Sequence, residues 1–316
     1  MRLTKKQMLT LRLLLLALIG EGLVIGVHAL FFPYYFYEHF LLGADWMPAL
    51  GPYNQEMTRT AGALYLGLTV PGVVALLTPA PRLLQAVGVA NVFAAFPHMV
   101  FHLTMANMSG YETIPQAGAL AATVVAGIAM VVIARDGERR FFQQRLAAPG
   151  GGFVLAPDEP GVDPARQGVV QAVLGLMLAE FLLIGVWALF LPHKFYTNFL
   201  FGTPWVSELG AYSQHLTIDT GALCFGFASA IVLALVWKSS ILVRSVAWGV
   251  AMASVAEAIY HLTEAGKSGA VASLVQAGVL FLTALGGLYL VSAARPAQRA
   301  VVEPLAVAES LTAESN

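Results

Sequence analysis

Residues 21–31 read EGLVIGVHALF, and residues 180–190 read EFLLIGVWALF. Both runs are apolar except for a leading glutamate and, in the first, one histidine. Each continues an apolar stretch long enough to cross a hydrocarbon core of about 30 Å, which takes about 20 helical residues. The pair therefore predicts two membrane-spanning helices and a repeated unit.

The composition of the whole chain points to lipid as its solvent. Hydrophobic residues make up 58% of the 316 residues and charged residues 11%, whereas soluble domains carry about 25% charged residues. We therefore predict an all-α polytopic membrane protein, because helices satisfy their backbone hydrogen bonds within lipid. A net charge of -1 gives no indication of nucleic-acid binding, which needs a basic face to neutralise phosphates. No glycine loop or nucleophile–base motif supports an ATP-driven or hydrolytic activity.

Eight apolar segments are predicted to span the membrane: 7–31, 60–77, 82–105, 116–134, 169–191, 218–237, 241–264 and 271–294. Fourteen Lys and Arg residues fall on the side of the N-terminus and three on the other. This asymmetry predicts cytoplasmic N- and C-termini. The predicted organisation is a first four-helix repeat at 1–135, a cytoplasmic linker at 136–167, a second four-helix repeat at 168–294 and a disordered cytoplasmic tail at 295–316.

The two halves align over most of their length. Adding 159 to residue numbers 21–104 matches the first half to the second without a gap, and 33 of 84 positions are identical. The identities include Glu, Trp, Tyr, Gln and His, which shared hydrophobicity does not explain. Each unit has an even number of spans, so the copies are predicted to be parallel repeats related by an axis along the membrane normal.

Glu21 and Glu180 lie near the middle of the first span of each unit. An ionisable side chain at this depth costs about 2.5 to 3.5 kcal/mol on insertion scales, so it usually faces a cavity or the protein interior. The two glutamates are therefore predicted to bind a ligand or a proton. The alternative is that they are protonated, hydrogen-bonded packing residues.

The third span of each unit carries two polar residues at a spacing of four. They are His98 and His102 in the first unit, and Glu257 and His261 in the second. This spacing places both side chains of a pair on one helix face. Each pair is therefore predicted to point at one centre, towards the extracytoplasmic end of the span.

The start of each second span adds further candidates, Glu56 in the first unit and His215 with Asp219 in the second. At the offset of 159, Glu56 aligns with His215, and His98 aligns with Glu257. The two units have thus exchanged His for Glu in opposite directions. Each unit is predicted to hold its own cluster of His and acidic residues in its outer half.

Imidazole and carboxylate groups both bind first-row metals, and a His beside a carboxylate also relays protons. We therefore predict binding of a metal, haem, quinone or small ligand, with metal candidates His98, His102, His215, Glu257 and His261. Interhelical hydrogen bonding explains the same histidines equally well. Two other functions stay open: proton-coupled transport of a small molecule, and a non-catalytic assembly or lipid-binding role. Membrane lipids are the partners common to all of these.

Aromatic residues crowd the loop after the first span of each unit. An aromatic belt at the membrane interface is the favoured interpretation. The alternative is a re-entrant or amphipathic lid over the cluster, for which the candidates are Trp46, Tyr53, Trp205 and Tyr212.

A motif common to both units, G-x-Y-x-Q-[EH]-x-T-x-x-x-G-A-L followed later by H-L-T, begins at Gly51 and at Gly210. It resembles the bacterial four-span membrane proteins grouped as DUF4345 or DoxX-like, and the resemblance covers each repeat. It implies a bacterial inner (plasma) membrane location and little about activity. The first copy departs from an H-x-x-x-D pattern, because Thr60 stands where the second copy has Asp219.

Overall fold

A computed structural model describes residues 3–43, 46–109, 113–146, 160–202, 206–268 and 271–296. Within these ranges the regular structure is helical, apart from isolated bridges. The helices are α1 (Lys5–Phe31), α2 (Pro33–Gly43), α3 (Trp46–Ala49), α4 (Gln55–Leu77), α5 (Pro81–Ser109), α6 (Thr113–Leu146), α7 (Pro164–Phe190), α8 (Pro192–Gly202), α9 (Gln214–Trp237), α10 (Ser240–Ser268) and α11 (Val271–Ala293).

Eight of these helices, all but α2, α3 and α8, are long and apolar enough to cross a membrane. This confirms the predicted all-α class and the predicted number of spans, and it indicates a multi-pass integral membrane protein. α4 and α9 begin before the predicted spans because each has a polar N-cap. The side chains of Asn54 and Ser213 accept hydrogen bonds from the backbone N–H groups of Met57 and Leu216.

The helix bounds of the two halves coincide at one offset. α1, α2 and α5 start and end 159 residues before α7, α8 and α10, as in Pro33–Gly43 and Pro192–Gly202. This is the offset of the sequence alignment. The duplication itself and the parallel orientation stay predictions.

The central spans α4, α5, α9 and α10 join the halves. α5 packs on α9 and α10 packs on α4, so the third span of each half lies against the second span of the other. The close crossing of α4 and α10 requires glycine, since a Cβ on Gly67 would lie 2.7 Å from the carbonyl oxygen of Gly249. The outer spans pack beside them, α1 on α4, α6 on α5, α7 on α9 and α11 on α10.

The loops that precede α4 and α9 contact each other. The Asn54 amide donates a hydrogen bond to the Ala211 carbonyl oxygen at 2.8 Å. A Cβ on Gly210 would meet the Asn54 side chain at 2.9 Å, and Gly51 adopts φ 144°, which favours glycine. These contacts bring together the first turns of α4 and α9, which carry Glu56 and His215.

The segment between the halves is more helical at its margins than the predicted linker at 136–167. α6 continues to Leu146, and α7 begins at Pro164 after a cap in which Asp163 accepts from the Ala165 N–H. Gly161 and Val162 form isolated bridges to Ser239 and Pro296. Residues 147–159 of the linker and 297–316 of the predicted tail lie outside the described residues.

Candidate metal centre

Three buried histidines meet where α5 crosses α9. The Nε2 atoms of His98 and His102 are 2.9 Å apart, those of His98 and His215 are 3.0 Å apart, and those of His215 and His102 are 3.2 Å apart. In the described part of the chain, these residues form the group whose metal-ligand atoms all lie within 4.8 Å of one another. We call them the His cluster.

Hydrogen bonds alone do not satisfy this arrangement. In a neutral imidazole each ring nitrogen either donates or accepts, but not both. With three Nε2 atoms all within hydrogen-bond distance, at least one pair must oppose two donors or two acceptors. A cation between them removes the conflict, because all three nitrogens can then direct a lone pair at it. The geometry therefore fits a metal better than interhelical hydrogen bonding.

A carboxylate contacts one of the three histidines on the ring nitrogen that faces away from the cluster. The Nδ1 atom of His98 lies 3.1 Å from Oδ1 of Asp219, although the contact is poorly aligned for a hydrogen bond. The Tyr65 hydroxyl also hydrogen-bonds to Asp219. A carboxylate on the far nitrogen of a ligating histidine orients the ring and increases its basicity. Asp219 thus occupies the place that an outer carboxylate would take if His98 bound a metal.

Local sequence explains how the rings converge. His98 follows Pro97, which lies inside α5 and leaves one backbone carbonyl of the helix without its usual donor. His102 follows one turn later, as the spacing of four predicts. His215 is the second residue of α9, two residues after the Ser213 cap, and its ring stacks on Phe101 at 5.7 Å between centroids. The spacing thus identified two of the three histidines, and the third comes from the other half.

The aligned residues of the opposite halves form a second buried cluster, which we call the Glu cluster. Glu56 on α4 faces His261 on α10, with 3.9 Å between Oε1 and Nε2. Glu257 lies near Glu56 and hydrogen-bonds to Thr60. Oε2 of Glu56 and Nδ1 of His261 have no hydrogen-bond partner. Glu257 and His261, both predicted metal candidates, therefore lie apart from the His cluster.

The mid-span glutamates make matching interhelical hydrogen bonds. Thr123 on α6 donates to Oε2 of Glu21 at 2.7 Å, and Thr283 on α11 donates to Oε2 of Glu180 at 2.8 Å. Both glutamates are half-buried. Each one therefore links the first and fourth spans of its half, and sequence reasoning did not identify either threonine because nothing in the pattern pairs these helices.

A cavity of about 490 Å³ connects the His cluster to Glu21. All three histidines, Asp219 and Tyr65 line it, and α1 and α6 supply most of the rest. Sequence reasoning missed Tyr65, and it also missed Gln116 and Thr123 on α6. These three polar residues have no regular spacing relative to the histidines, and only the packing of separate helices brings them to one cavity.

The aromatic loops fold into short helices above the spans. Phe36 on α2 and Met47 on α3 line the cavity wall. Tyr53 packs on Tyr34 and Tyr37, and Tyr212 packs on His193 and Tyr196. Burial raises the pKa of the Tyr212 hydroxyl. Of the other lid candidates, Trp205 and the side chain of Trp46 lie outside the described residues.

No family model, no curated protein and no solved structure matches this chain. The resemblance to DUF4345 or DoxX-like proteins is therefore neither supported nor contradicted, and it stays a prediction.

Proposed function

We propose that this chain is an integral membrane metalloprotein that binds one first-row transition-metal ion at His98, His102 and His215. The observation that carries this proposal is the convergence of three buried Nε2 atoms to within 3.2 Å of one another. Imidazole nitrogen suits zinc, copper, iron and nickel. On the distribution of Lys and Arg, we further propose cytoplasmic termini. The even number of spans in each half supports two parallel repeats, and the resemblance to DUF4345 or DoxX-like proteins supports a bacterial inner-membrane location.

The size of the nitrogen triangle supports this assignment. A tetrahedral ion with bonds of about 2.0 to 2.1 Å holds its nitrogen ligands about 3.3 Å apart. The observed separations of 2.9 to 3.2 Å are slightly smaller. An ion held by His98, His102 and His215 would thus have three protein ligands, and a fourth position would be left for another ligand.

That free position suits a site that acts on a ligand rather than a purely structural one. Structural zinc sites use four protein ligands, whereas catalytic sites keep one position open. The cavity beside the His cluster holds Glu21, which can exchange a proton with a bound molecule. We therefore favour ligand binding at the metal over the transport and assembly alternatives.

Metal analysis of the detergent-purified protein tests the proposal. We expect about one ion per chain in the wild-type protein and almost none in His98→Ala, His102→Ala or His215→Ala. His261→Ala is the matched control, because it removes a buried histidine of the Glu cluster and should leave the ion in place. A wild-type protein without metal after reconstitution, or equal metal in all four variants, would overturn the proposal.

A further inference from the structure

We propose that the ligand of this site is a membrane-dissolved molecule with an apolar body and an oxygen-bearing head, and that it enters sideways from the lipid between α1 and α6. This inference deepens the proposed function, since it names the class of molecule that reaches the metal. It rests on the lining of the cavity, on the sparse packing of the two helices and on unpartnered polar groups in its wall.

The gap between α1 and α6 forms a lateral mouth. α1 packs along its length on α4 and α6 along its length on α5, whereas α1 and α6 touch only sparsely and are joined by the Glu21–Thr123 hydrogen bond. Four residues line the cavity and are exposed, Ala17 and Val24 on α1 and Ala119 and Ala122 on α6. The cavity is only partly enclosed, and its opening lies between two membrane-spanning helices, where the surrounding solvent is lipid.

Glycine keeps this mouth wide on the α1 side. Gly20 lines the cavity, and a Cβ built on it meets nothing within 4 Å. The lining on α6 runs from Gln116 to Ala126, which is about 15 Å along a helix axis. The cavity therefore extends over about half of a hydrocarbon core of about 30 Å, where the solvent outside is acyl chain.

The size and walls of the cavity fit a lipophilic molecule. Its volume of about 490 Å³ lies within the range of about 300 to 1,000 Å³ that is usual for small-molecule sites. The wall of the cavity contains large apolar side chains, namely Phe36, Met47, Leu18, Ile25 and Leu120. A molecule that is already dissolved in the bilayer enters such a site without first leaving water.

The polar groups in the wall specify the head of the ligand. Gln116 is 8% exposed and lines the cavity, yet its Nε2 donor has no hydrogen-bond partner. Nδ1 of His102 is also unpartnered and carries the proton once Nε2 binds a metal. A buried donor without an acceptor costs about 1 to 3 kcal/mol. Both groups, like the metal, are satisfied by an oxygen acceptor.

The shared chemistry is thus a carbonyl or carboxylate oxygen on an apolar body. A quinone and a fatty acid both supply it. Photolabelling in lipid nanodiscs separates the two sources, with a diazirine-bearing short-chain quinone in one arm and a diazirine-bearing fatty acid in the other. Excess unlabelled quinone or oleic acid serves as the competitor.

We expect competable labelling on α1 and α6 in at least one arm, in the stretches 17–24 and 116–126. Gly20→Leu should reduce it at least tenfold by filling the mouth, and Ala122→Phe is a second blocking variant in case the first does not fold. Gly175→Leu on α7 is the matched control, since a Cβ there also meets open space. Gln116→Ala should weaken binding in the arm that labels.

Metal content is measured on the same samples. Gly20→Leu should keep its ion, because it fills the mouth and removes no ligand. Competable labelling without metal would refute the metal proposal and leave the lateral site standing. Labelling that no competitor reduces, or that both blocking variants leave unchanged, would overturn the lateral site even if the metal is present.

Discussion

The His cluster and the Glu cluster occupy aligned positions in one fold, yet they hold different chemistry. Each takes two residues from the third span of one half and one from the second span of the other. In the His cluster, three nitrogens meet within 3.2 Å. In the Glu cluster, the nearest ion-pair contact is 3.9 Å between Glu56 and His261. The backbone thus determines where three side chains meet in each half, and the side-chain types determine the chemistry of each cluster.

The residue that contacts each cluster from the adjacent helix turn also differs between the two halves. Asp219 contacts His98, whereas the aligned Thr60 hydrogen-bonds to Glu257. A carboxylate supports an imidazole that binds a cation, but it would repel a second carboxylate. The exchange of Asp for Thr therefore matches the exchange of His for Glu, which indicates that each cluster works as a unit.

Converting the His cluster into a copy of the Glu cluster should have the largest effect. In the double variant His98→Glu with His215→Glu, two imidazoles whose nitrogens converge are replaced by carboxylates, and the same set of side chains does not converge in the Glu cluster. We expect bound metal to fall from about one ion per chain to almost none in elemental analysis. Retention of a full equivalent would show that the ion resides elsewhere.

The reverse conversion tests whether the backbone alone provides the geometry. Glu56→His with Glu257→His adds two imidazoles beside His261, and Thr60→Asp restores the carboxylate behind them. We expect the metal content to rise towards two ions per chain. If the triple variant folds and still binds one ion, the aligned backbone positions of the two clusters do not provide the same geometry.

Removing the supporting carboxylate should have an intermediate effect. Asp219→Asn keeps the size of the side chain but removes the charge that orients His98, so the metal affinity should fall about 10- to 100-fold. Competition with a chromophoric chelator measures this change. Thr60→Val at the aligned position is the control and should leave the affinity unchanged.

Where the halves are alike, matched substitutions should have small and equal effects. Tyr37 donates to the Gly51 carbonyl oxygen at 2.6 Å, and Tyr196 donates to the Gly210 carbonyl oxygen at 2.5 Å. Tyr37→Phe and Tyr196→Phe should each lower the free energy of unfolding by about 1 kcal/mol, as measured by denaturation in mixed micelles. A severalfold difference between the two would show that the loops have also diverged.

Much of the fold follows from the sequence because lipid restricts the choices. Continuous apolar runs predict spans without knowledge of tertiary contacts, and all eight are present. The predicted spans began several residues after the observed starts of α4 and α9, because polar first turns such as that of Gln55 and Glu56 lack the apolar composition of a membrane-spanning helix. Those turns belong to the helix because Asn54 and Ser213 cap them.

The candidate site was only half predictable. The spacing of four placed His98 and His102 on one face, since this depends on one helix alone. The partner of that pair is His215 of the other half, whereas the sequence suggested one cluster within each unit. Helices that are apolar on every side show no periodic face to reveal their neighbours, so the pairing of α5 with α9 had no sequence signal.

The three histidines of the His cluster come from both halves of the chain, and this has a thermodynamic consequence for the proposed ion. The proposed ion would be held by α5 and α9 together and would have no such site when the halves separate, so metal binding and helix association would be linked equilibria. At a free metal concentration 100 times the Kd, this linkage adds about 2.7 kcal/mol to the associated state. Removal of the proposed ion by a chelator would therefore destabilise the helix bundle, beginning at the contact between α5 and α9.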